Sequence, residues 1–218
     1  HGNEMNQEEL REQFDQWAHT YDQELQTAAD RFPFAGYSQV LTTIWDRAEV
    51  APGMPVLDLG VGTGNLSQLF VESGCQVLGV DFSPEMLTKA RRKVPELELV
   101  QADLVLDKWP PTLNQPFDRV VSNYTFHEFP LETKLKILAR LAKNTLSPAG
   151  RIVIGDIAFP TVSELNRVKD ELADEWEDEF YWSADETRAA LEPAGWQLEY
   201  LQVSFCAGVY IFFPPTNR

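Results

Sequence analysis

The chain has 218 residues, 44% of them hydrophobic, which is enough for one α/β domain with a full core. Its net charge is −16 and its isoelectric point is about 4.5, so its electrostatic field repels phosphate polymers and anionic membranes. We therefore expect neither a nucleic acid nor a membrane among its partners.

Targeting and redox signals are few. No apolar run approaches the roughly 18 residues of a membrane span and no signal peptide is seen, which predicts a soluble, cytoplasmic protein. Cys75 and Cys206 each lie at the edge of an apolar segment, as buried free thiols do, although a disulfide between them stays an alternative. His1 and Gly2 precede the first methionine and are left out of the functional argument.

Two helices are predicted ahead of the first strand, over residues 6–29 and about 37–48. The first has an apolar stripe at helical spacing, formed by Leu10, Phe14, Trp17 and Tyr21. Neither helix belongs to the alternation of strands and helices that follows.

The organising motif of the chain is VLDLGVGTGNL at 56–66, which predicts a strand over 55–59, a tight turn and a helix over 64–73. Glycines in the turn permit backbone angles that other residues resist, and they let a ligand lie against the main chain. The turn opens a helix, so free backbone N–H groups point at whatever binds there.

A second apolar strand, at 76–80, leads into Asp81, which lies 21 residues after Gly60. An acid at the tip of the second strand of a βαβ unit is placed to accept hydrogen bonds from both hydroxyls of a ribose. The sequence therefore predicts a nucleoside site.

Strands and helices continue to alternate, which favours a parallel sheet covered by helices on both faces. The predicted elements are a helix from Ser83 to Lys93, strands at 97–101, 117–121 and 151–156, a loop at 104–116, a helix at 131–146, and a terminal pair of strands at 196–203 and 207–213. Ligands bind at the carboxyl ends of such strands. That edge is predicted to carry Gly60, Asp81, Asp103, Ser122 and Asp156.

An acidic, aromatic insertion occupies residues 163–192. Ser183 and Glu186 predict a capping box at the start of its second helix. The acids supply no histidine or thiolate at ligand spacing, so we expect a solvated acidic face and no metal site. The aromatic residues that would form an apolar lid, if they fold over the site, are Trp176, Phe180, Tyr181 and Trp182.

The pattern D-L-G-x-G-x-G-x-L, which starts at Asp58, resembles motif I of the class I S-adenosylmethionine-dependent methyltransferases. GVDFSPEML at 79–87 resembles their second motif, and QADL at 101–104 resembles their third. FDxWAxxYD near the start and NYxFHE after the fourth strand resemble a YrrT-like group of small, uncharacterised bacterial methyltransferases.

This resemblance implies S-adenosylmethionine as the cofactor and a doubly wound, mostly parallel sheet of seven strands in the order 3-2-1-4-5-7-6, with a C-terminal antiparallel hairpin. We expect a single domain with an N-terminal cap (1–50), a cofactor-binding core (51–160), a lid (161–195) and the terminal hairpin (196–218). As a separate hypothesis, we expect the insertion and residues 10–37 to determine the choice of methyl acceptor.

The resemblance implies roles for the residues of the first two motifs. The backbone at Gly60, Gly62 and Gly64 approaches the methionine part of the cofactor. Asp81 accepts from the two ribose hydroxyls.

The adenine and the methionine end are assigned further contacts by the resemblance. Asp103 accepts from the adenine amino group and the Leu104 backbone meets the ring edge, although Asp103 as a loop cap is an alternative. Phe82 packs on the adenine face or, alternatively, in the core. Ser122 lies at the cofactor edge, and Tyr21 contacts the methionine end.

Methyl transfer from a sulfonium needs positioning and exclusion of water more than side-chain chemistry. If the acceptor carries a proton, His127 is the candidate base, with Tyr124 and Asn123 lining the pocket and Asp156 as an alternative polar anchor. The other interpretation of His127 is a loop histidine packed beside neighbouring phenylalanines.

The sequence thus favours a methyltransferase that acts on a small molecule. A nicotinamide-dependent oxidoreductase is disfavoured, because its usual turn is G-x-G-x-x-G. A cofactor-binding protein without transferase activity and a protein methyltransferase both stay open, as does the oligomeric state.

Overall fold

The computed structural model describes residues 30–106 and 108–216. The predicted contact of Tyr21 and the first predicted helix lie outside these residues. The helices are α1 (Tyr37–Ala48), α2 (Asn65–Glu72), α3 (Pro84–Lys93), α4 (Leu131–Asn144), α5 (Val162–Leu172) and α6 (Ala184–Leu191). The strands are β1 (Pro55–Leu59), β2 (Gln76–Asp81), β3 (Glu98–Gln101), β4 (Phe117–Asn123), β5 (Leu146–Phe159), β6 (Trp182–Ser183), β7 (Gln197–Gln202) and β8 (Ala207–Phe213).

The sheet has the order β3-β2-β1-β4-β5-β8-β7, and the two-residue β6 pairs with β5 beside this path. Strands β1 to β5 run parallel, whereas β8 pairs antiparallel with both β5 and β7. The predicted order 3-2-1-4-5-7-6 is therefore confirmed, since β6 only shifts the numbers of the last two strands.

Successive side chains of each strand enter opposite layers of the core, as the two-residue period of a strand requires. Leu57 and Leu59 of β1 pack in the layer under α4 and α6, whereas Val56 packs in the layer under α1, α2 and α3. Helices thus cover both faces, as the alternation of strands and helices predicted.

The segment 104–116 is more ordered than a plain loop. It contains a 3₁₀ turn at Pro111–Asn114 and places Trp109 and Leu113 in the core, where both are buried. Burial of two large apolar side chains holds this segment against the sheet. Strand β5 starts at Leu146, earlier than the predicted start at 151. Its pairing with β4 continues beyond a register shift between Phe117 and Arg119.

The predicted capping box at Ser183 is wrong. Ser183 is the N-cap of α6, but its side chain makes no capping hydrogen bond. Asp185 does this instead, accepting from the Glu186 N–H at 2.8 Å and from the Val162 N–H at 3.1 Å. The two oxygens of the Asp185 carboxylate thus accept from one backbone donor at the start of α5 and one in the first turn of α6.

Both cysteines are buried free thiols, as the sequence indicated, and they lie in separate hydrophobic clusters. No helix within the described ranges has the length and apolar character needed to cross a bilayer.

Candidate active site

A cavity of about 640 Å³ opens at the carboxyl ends of β1 to β4. The turns that follow these strands form its walls, as expected for an open α/β sheet. The predicted site residues that line it are Gly60, Gly62, Asp81, Phe82, Asp103, Leu104 and Tyr124. Gly64, Ser122 and His127 do not line it.

Gly60 is constrained twice. Its φ of +69° lies in the left-handed region, and a Cβ built on it would lie 2.1 Å from the Thr125 Oγ1. Only glycine therefore lets the turn after β1 pass this close to the turn after β4. Gly62, with φ +55°, has no side-chain or backbone atom closer than 4.0 Å to its built Cβ, so its main chain is open to a ligand.

Asp81 is held by the same turn. Its Oδ2 accepts from the Gly62 N–H and its Oδ1 from the Ser83 N–H, both at 3.0 Å. Each carboxylate oxygen has two lone pairs, so both retain acceptor capacity for hydroxyls in the cavity. The β1 and β2 turns thus orient the Asp81 carboxylate at the cavity before any ligand arrives.

The far end of the cavity carries Phe82 and Asp103. Phe82 is 62% exposed, so the alternative that it is a core residue is wrong. The Asp103 Oδ1 accepts from the Val105 N–H at 3.1 Å, which is the loop cap that the sequence left open. Within the described part of the chain its Oδ2 makes no hydrogen bond, so Asp103 can cap the loop and still accept from a ligand.

Two predicted site residues that do not line the cavity have contacts within the framework. The Ser122 hydroxyl is buried and donates to the Leu59 carbonyl at 2.6 Å, which ties β4 to β1. Gly64 is the left-handed N-cap of α2, and its built Cβ lies 3.4 Å from Val94. Both residues are required for the packing of the sheet and of a helix. Their spacing in the sequence is the same whether they pack or contact a ligand, so spacing does not distinguish the two roles.

Asp58 lies fully buried behind the glycine turn. Its Oδ2 accepts from the Ser67 hydroxyl at 2.6 Å, while its Oδ1 has no partner among the described residues. Burial raises the pKa of Asp58 from its ordinary 3.8 to about 7; Asp81 adds to this rise, and the Ser67 hydrogen bond opposes it.

His127 forms a dyad with Asp156. The Asp156 carboxylate, near the carboxyl end of β5, accepts from the His127 backbone N–H and contacts its Nδ1, both at 2.8 Å. Because a carboxylate only accepts, Nδ1 carries the proton and Nε2 of the neutral ring is left as the acceptor. Burial lowers the pKa of His127, but attraction to Asp156 and the hydrogen bond with it outweigh this, so the pKa is raised.

Tyr124 lines the cavity and precedes His127 by three residues in the turn after β4. Its ring stacks on Tyr37 at 5.3 Å between centroids and lies 5.7 Å from Phe34. Its hydroxyl is buried without a hydrogen-bond partner in the described structure, and burial raises the pKa of this group. The hydroxyl is therefore a neutral polar group beside an aromatic wall.

The insertion approaches the dyad through its aromatic residues. The Phe180 N–H donates to the His127 carbonyl at 2.9 Å, and the Tyr181 ring lies 6.5 Å from the imidazole. Trp176 stacks on Phe32 at 5.3 Å. Trp182, expected as part of a lid, is instead a core residue packed against Tyr210, because β6 pairs with β5 and turns this side chain inward.

The wall residues Phe34 and Tyr37 were missed from the sequence. The available signal was two aromatic residues close to a glycine. Gly36, with a left-handed φ of +79°, is the N-cap of α1, and both aromatic residues line the cavity. The pairing of Asp156 with His127 was also missed, although both had been placed near this edge. Across the described ranges no group of three potential metal ligands occurs.

Comparisons with known proteins agree with this geometry. A family model described as a methyltransferase domain matches residues 56–150. An uncharacterised methyltransferase of Geobacillus kaustophilus is 32% identical over 200 residues, covering 87% of this chain and 89% of the relative. One of Geobacillus thermodenitrificans is 30% identical with the same coverage.

Solved structures share the fold at lower identity. DhpI in a complex with SAM and HEP has a TM-score of 0.66 at 21% identity, covering 94% of this chain and 96% of its own. Magnesium protoporphyrin IX methyltransferase from Synechocystis with bound SAH has a TM-score of 0.64 at 20% identity, covering 83% and 84%.

The sheet order, the glycine turn and the acid after β2 define a nucleoside-binding α/β enzyme. The chain belongs to the class I S-adenosylmethionine-dependent methyltransferases, and S-adenosylmethionine is its cofactor. The residues present fit this cofactor, since the open main chain of the glycine turn and the Asp81 carboxylate that this turn orients meet at one cavity. The oxidoreductase alternative is thereby dropped.

Proposed function

We propose that this enzyme transfers the methyl group of S-adenosylmethionine directly to a small-molecule acceptor. The observation that supports this proposal is a single cavity that joins the ribose-binding edge at Asp81 to the aromatic wall at Tyr124. Its volume of about 640 Å³ lies within the range of small-molecule sites, roughly 300–1,000 Å³.

The cofactor, when bound, supplies a methyl group already activated on a sulfonium. We assign its methionine part to the main chain at Gly60 and Gly62, its ribose to Asp81 and its adenine to Asp103 and Phe82. These contacts fix the cofactor from three strands of a rigid sheet, which favours positioning as the main contribution to catalysis.

The aromatic wall of Phe34, Tyr37 and Tyr124 is assigned to the methyl-bearing end. Apolar faces exclude water from that end, which strengthens every electrostatic interaction there. The Tyr124 hydroxyl is buried behind this wall, so the ring of Tyr124 and not its hydroxyl is assigned to the contact with the acceptor.

His127 is assigned the role of general base for an acceptor that loses a proton. Asp156 holds the imidazole in the tautomer that leaves Nε2 free, and the raised pKa makes the ring a stronger base. The insertion, anchored through the Phe180–His127 hydrogen bond, is assigned the choice of acceptor. Replacing residues 173–181 by a short turn should spare cofactor affinity and remove transfer, and unchanged transfer would contradict this assignment.

The cofactor site is tested by calorimetric titration with S-adenosylhomocysteine. We expect micromolar binding, about −8 kcal/mol, with no binding of NADH. Asp81→Asn should weaken binding at least about tenfold, because the amide loses one of the two acceptors for the ribose hydroxyls. Glu98→Gln removes a carboxylate from the neighbouring strand outside the cavity and should leave affinity unchanged.

The acceptor class is tested with S-adenosylmethionine carrying a tritiated methyl group. Purified enzyme is incubated with a cell extract separated into a small-molecule filtrate and a macromolecular fraction. Label transferred to compounds of the filtrate supports the proposal, and label found only in protein or nucleic acid would overturn it. His127→Gln should lower the transfer rate and remove its rise with pH, while binding of S-adenosylhomocysteine is retained.

A further inference from the structure

A second cavity, of about 310 Å³, lies away from the cofactor site. It is bounded by the first turn of α4, by α5 and α6, and by the strand-like segment that ends in β6. It shares no lining residue with the first cavity. Its size is at the lower limit for a small-molecule site.

Lys134 lines this cavity although it is only 2% exposed. Lysine is almost never so buried unless it is paired with an acid. Its ammonium donates to the Phe180 carbonyl and lies 5.0 Å from the centre of the Trp182 ring. No carboxylate of the described residues lies within the 4.0 Å of an ion pair with it.

The electrostatic setting of Lys134 is also unusual. It lies in the first turn of α4, where the helix dipole favours anions and disfavours cations. The N-cap, Pro130, offers no capping side chain. Burial lowers the pKa of Lys134 to about 8, against the more distant attraction of Asp156 and Glu186. A charged group in such a place is missing its counter-ion.

A second hydrogen-bond donor belongs to Trp182, which also lines this cavity. The Trp182 side chain is 2% exposed, and its Nε1 has no hydrogen-bond partner in the described structure. An indole nitrogen only donates, so it needs an acceptor that the neighbouring residues do not supply. Two buried donors without a carboxylate, one of them charged, point to a ligand that brings an anionic oxygen.

We infer that this cavity is a second small-molecule site, which binds the carboxylate of a monoanionic aromatic acid at Lys134 and Trp182. The rings of Trp176 and Tyr181 supply apolar walls for the body of the ligand. Glu179 and Glu186 also line the cavity and oppose a doubly charged phosphate, while Lys169 is already paired with Asp178 at 3.1 Å. This inference does not depend on the proposed acceptor chemistry.

The test uses the ¹⁵N-labelled full chain and follows the Trp182 indole N–H resonance, assigned with Trp182→Phe. The probes are benzoate, benzamide, benzylamine and inorganic phosphate. Benzoate should shift the resonance saturably, and the three other probes should bind at least about tenfold more weakly. Equal affinity for benzoate and benzamide, tighter binding of phosphate, or no saturable shift with benzoate would each overturn the inference.

A matched pair of variants tests whether Lys134 is the residue that binds the carboxylate. Lys134→Met keeps an unbranched side chain without the charge and should weaken benzoate binding about tenfold. Lys89→Met removes another lysine that is 2% exposed, on α3 and outside both cavities, and should leave benzoate binding unchanged. Unchanged binding in Lys134→Met would contradict the assignment. If that variant does not fold, the comparison of probes on the native chain still decides.

Discussion

At the scale of single residues, this chain requires glycine for two distinct physical reasons, at one position in the site and at one outside it. Gly60 combines a left-handed backbone with a steric limit at Thr125, whereas Gly53, with φ +86°, has no atom within 4 Å of a built Cβ. A substitution at Gly53 therefore measures the cost of backbone strain alone, whereas one at Gly60 measures backbone strain together with a steric clash.

We predict that Gly53→Ala lowers the free energy of unfolding by about 1–2 kcal/mol, the usual cost of a left-handed conformation for a residue with a Cβ. Gly60→Ala should cost more and should also weaken S-adenosylhomocysteine binding, because the turn must move away from Thr125. Urea unfolding and calorimetry measure the two effects. If the two variants lost the same free energy of unfolding and Gly60→Ala still bound S-adenosylhomocysteine normally, the predicted steric role of Thr125 would be contradicted.

The buried carboxyl group of Asp58 makes the free energy of unfolding depend on pH. Its pKa of about 7 in the folded chain, against an ordinary 3.8, means that the folded state holds a proton that the unfolded state has released between these values. The stability that Asp58 contributes is thus present below about pH 4 and is lost as the pH rises towards 7, at up to about 1.4 kcal/mol per pH unit. Asp58→Asn should flatten the curve of unfolding free energy against pH over this window. Parallel curves in urea unfolding at pH 5, 6 and 7 would contradict the prediction.

At the scale of elements, helix starts depend on which side chain reaches the free backbone N–H groups. Thr161 caps α5, since its Oγ1 accepts from the Glu164 N–H at 3.0 Å. Ser183, which has the same position in the sequence pattern, makes no capping hydrogen bond, because the Glu186 N–H that it would cap donates to Asp185.

We therefore predict different costs for two similar substitutions. Thr161→Ala should lower the free energy of unfolding by about 1 kcal/mol through loss of the cap. Ser183→Ala should change it by less than about 0.5 kcal/mol, because no capping bond is removed. Chemical denaturation of both variants measures the difference. A cost at Ser183 equal to that at Thr161 would contradict the assignment of the cap to Asp185.

At the scale of the whole molecule, the net charge of −16 sets the electrostatics. Like charges repel one another in the compact state, and salt screens them over a Debye length of about 8 Å at physiological ionic strength. The acidic insertion adds exposed carboxylates beside the few ion pairs of α5, such as Arg167 with Glu164.

We predict that the melting temperature rises as salt is added up to about 0.15 M and then levels off, because screening removes self-repulsion first. Sodium and potassium chloride should act alike. Melting curves followed by circular dichroism measure the rise. A fall in melting temperature with salt, or a clear difference between the two cations, would contradict general screening.

Much of the fold could be predicted because its signals are local. The strand over 55–59 and the helix over 37–48 match the observed bounds, and the helix that Ser83 caps ends at Lys93 as predicted. Apolar periodicity, a serine N-cap and glycine stops each act within a few residues. The burial of Trp109 was not predicted, because a proline-rich segment gives no periodic pattern.

The candidate site was also predictable only in part from the sequence. Gly60, Asp81 and Asp103 follow their strands directly, and parallel strands end at one edge, so the sequence alone determined that these groups meet. Tertiary structure alone decided that Asp156 pairs with His127, 29 residues away, and that Lys134 is buried without an acid. Such pairings depend on which elements become neighbours and how closely they pack, and no local pattern encodes the distance between two side chains from different elements.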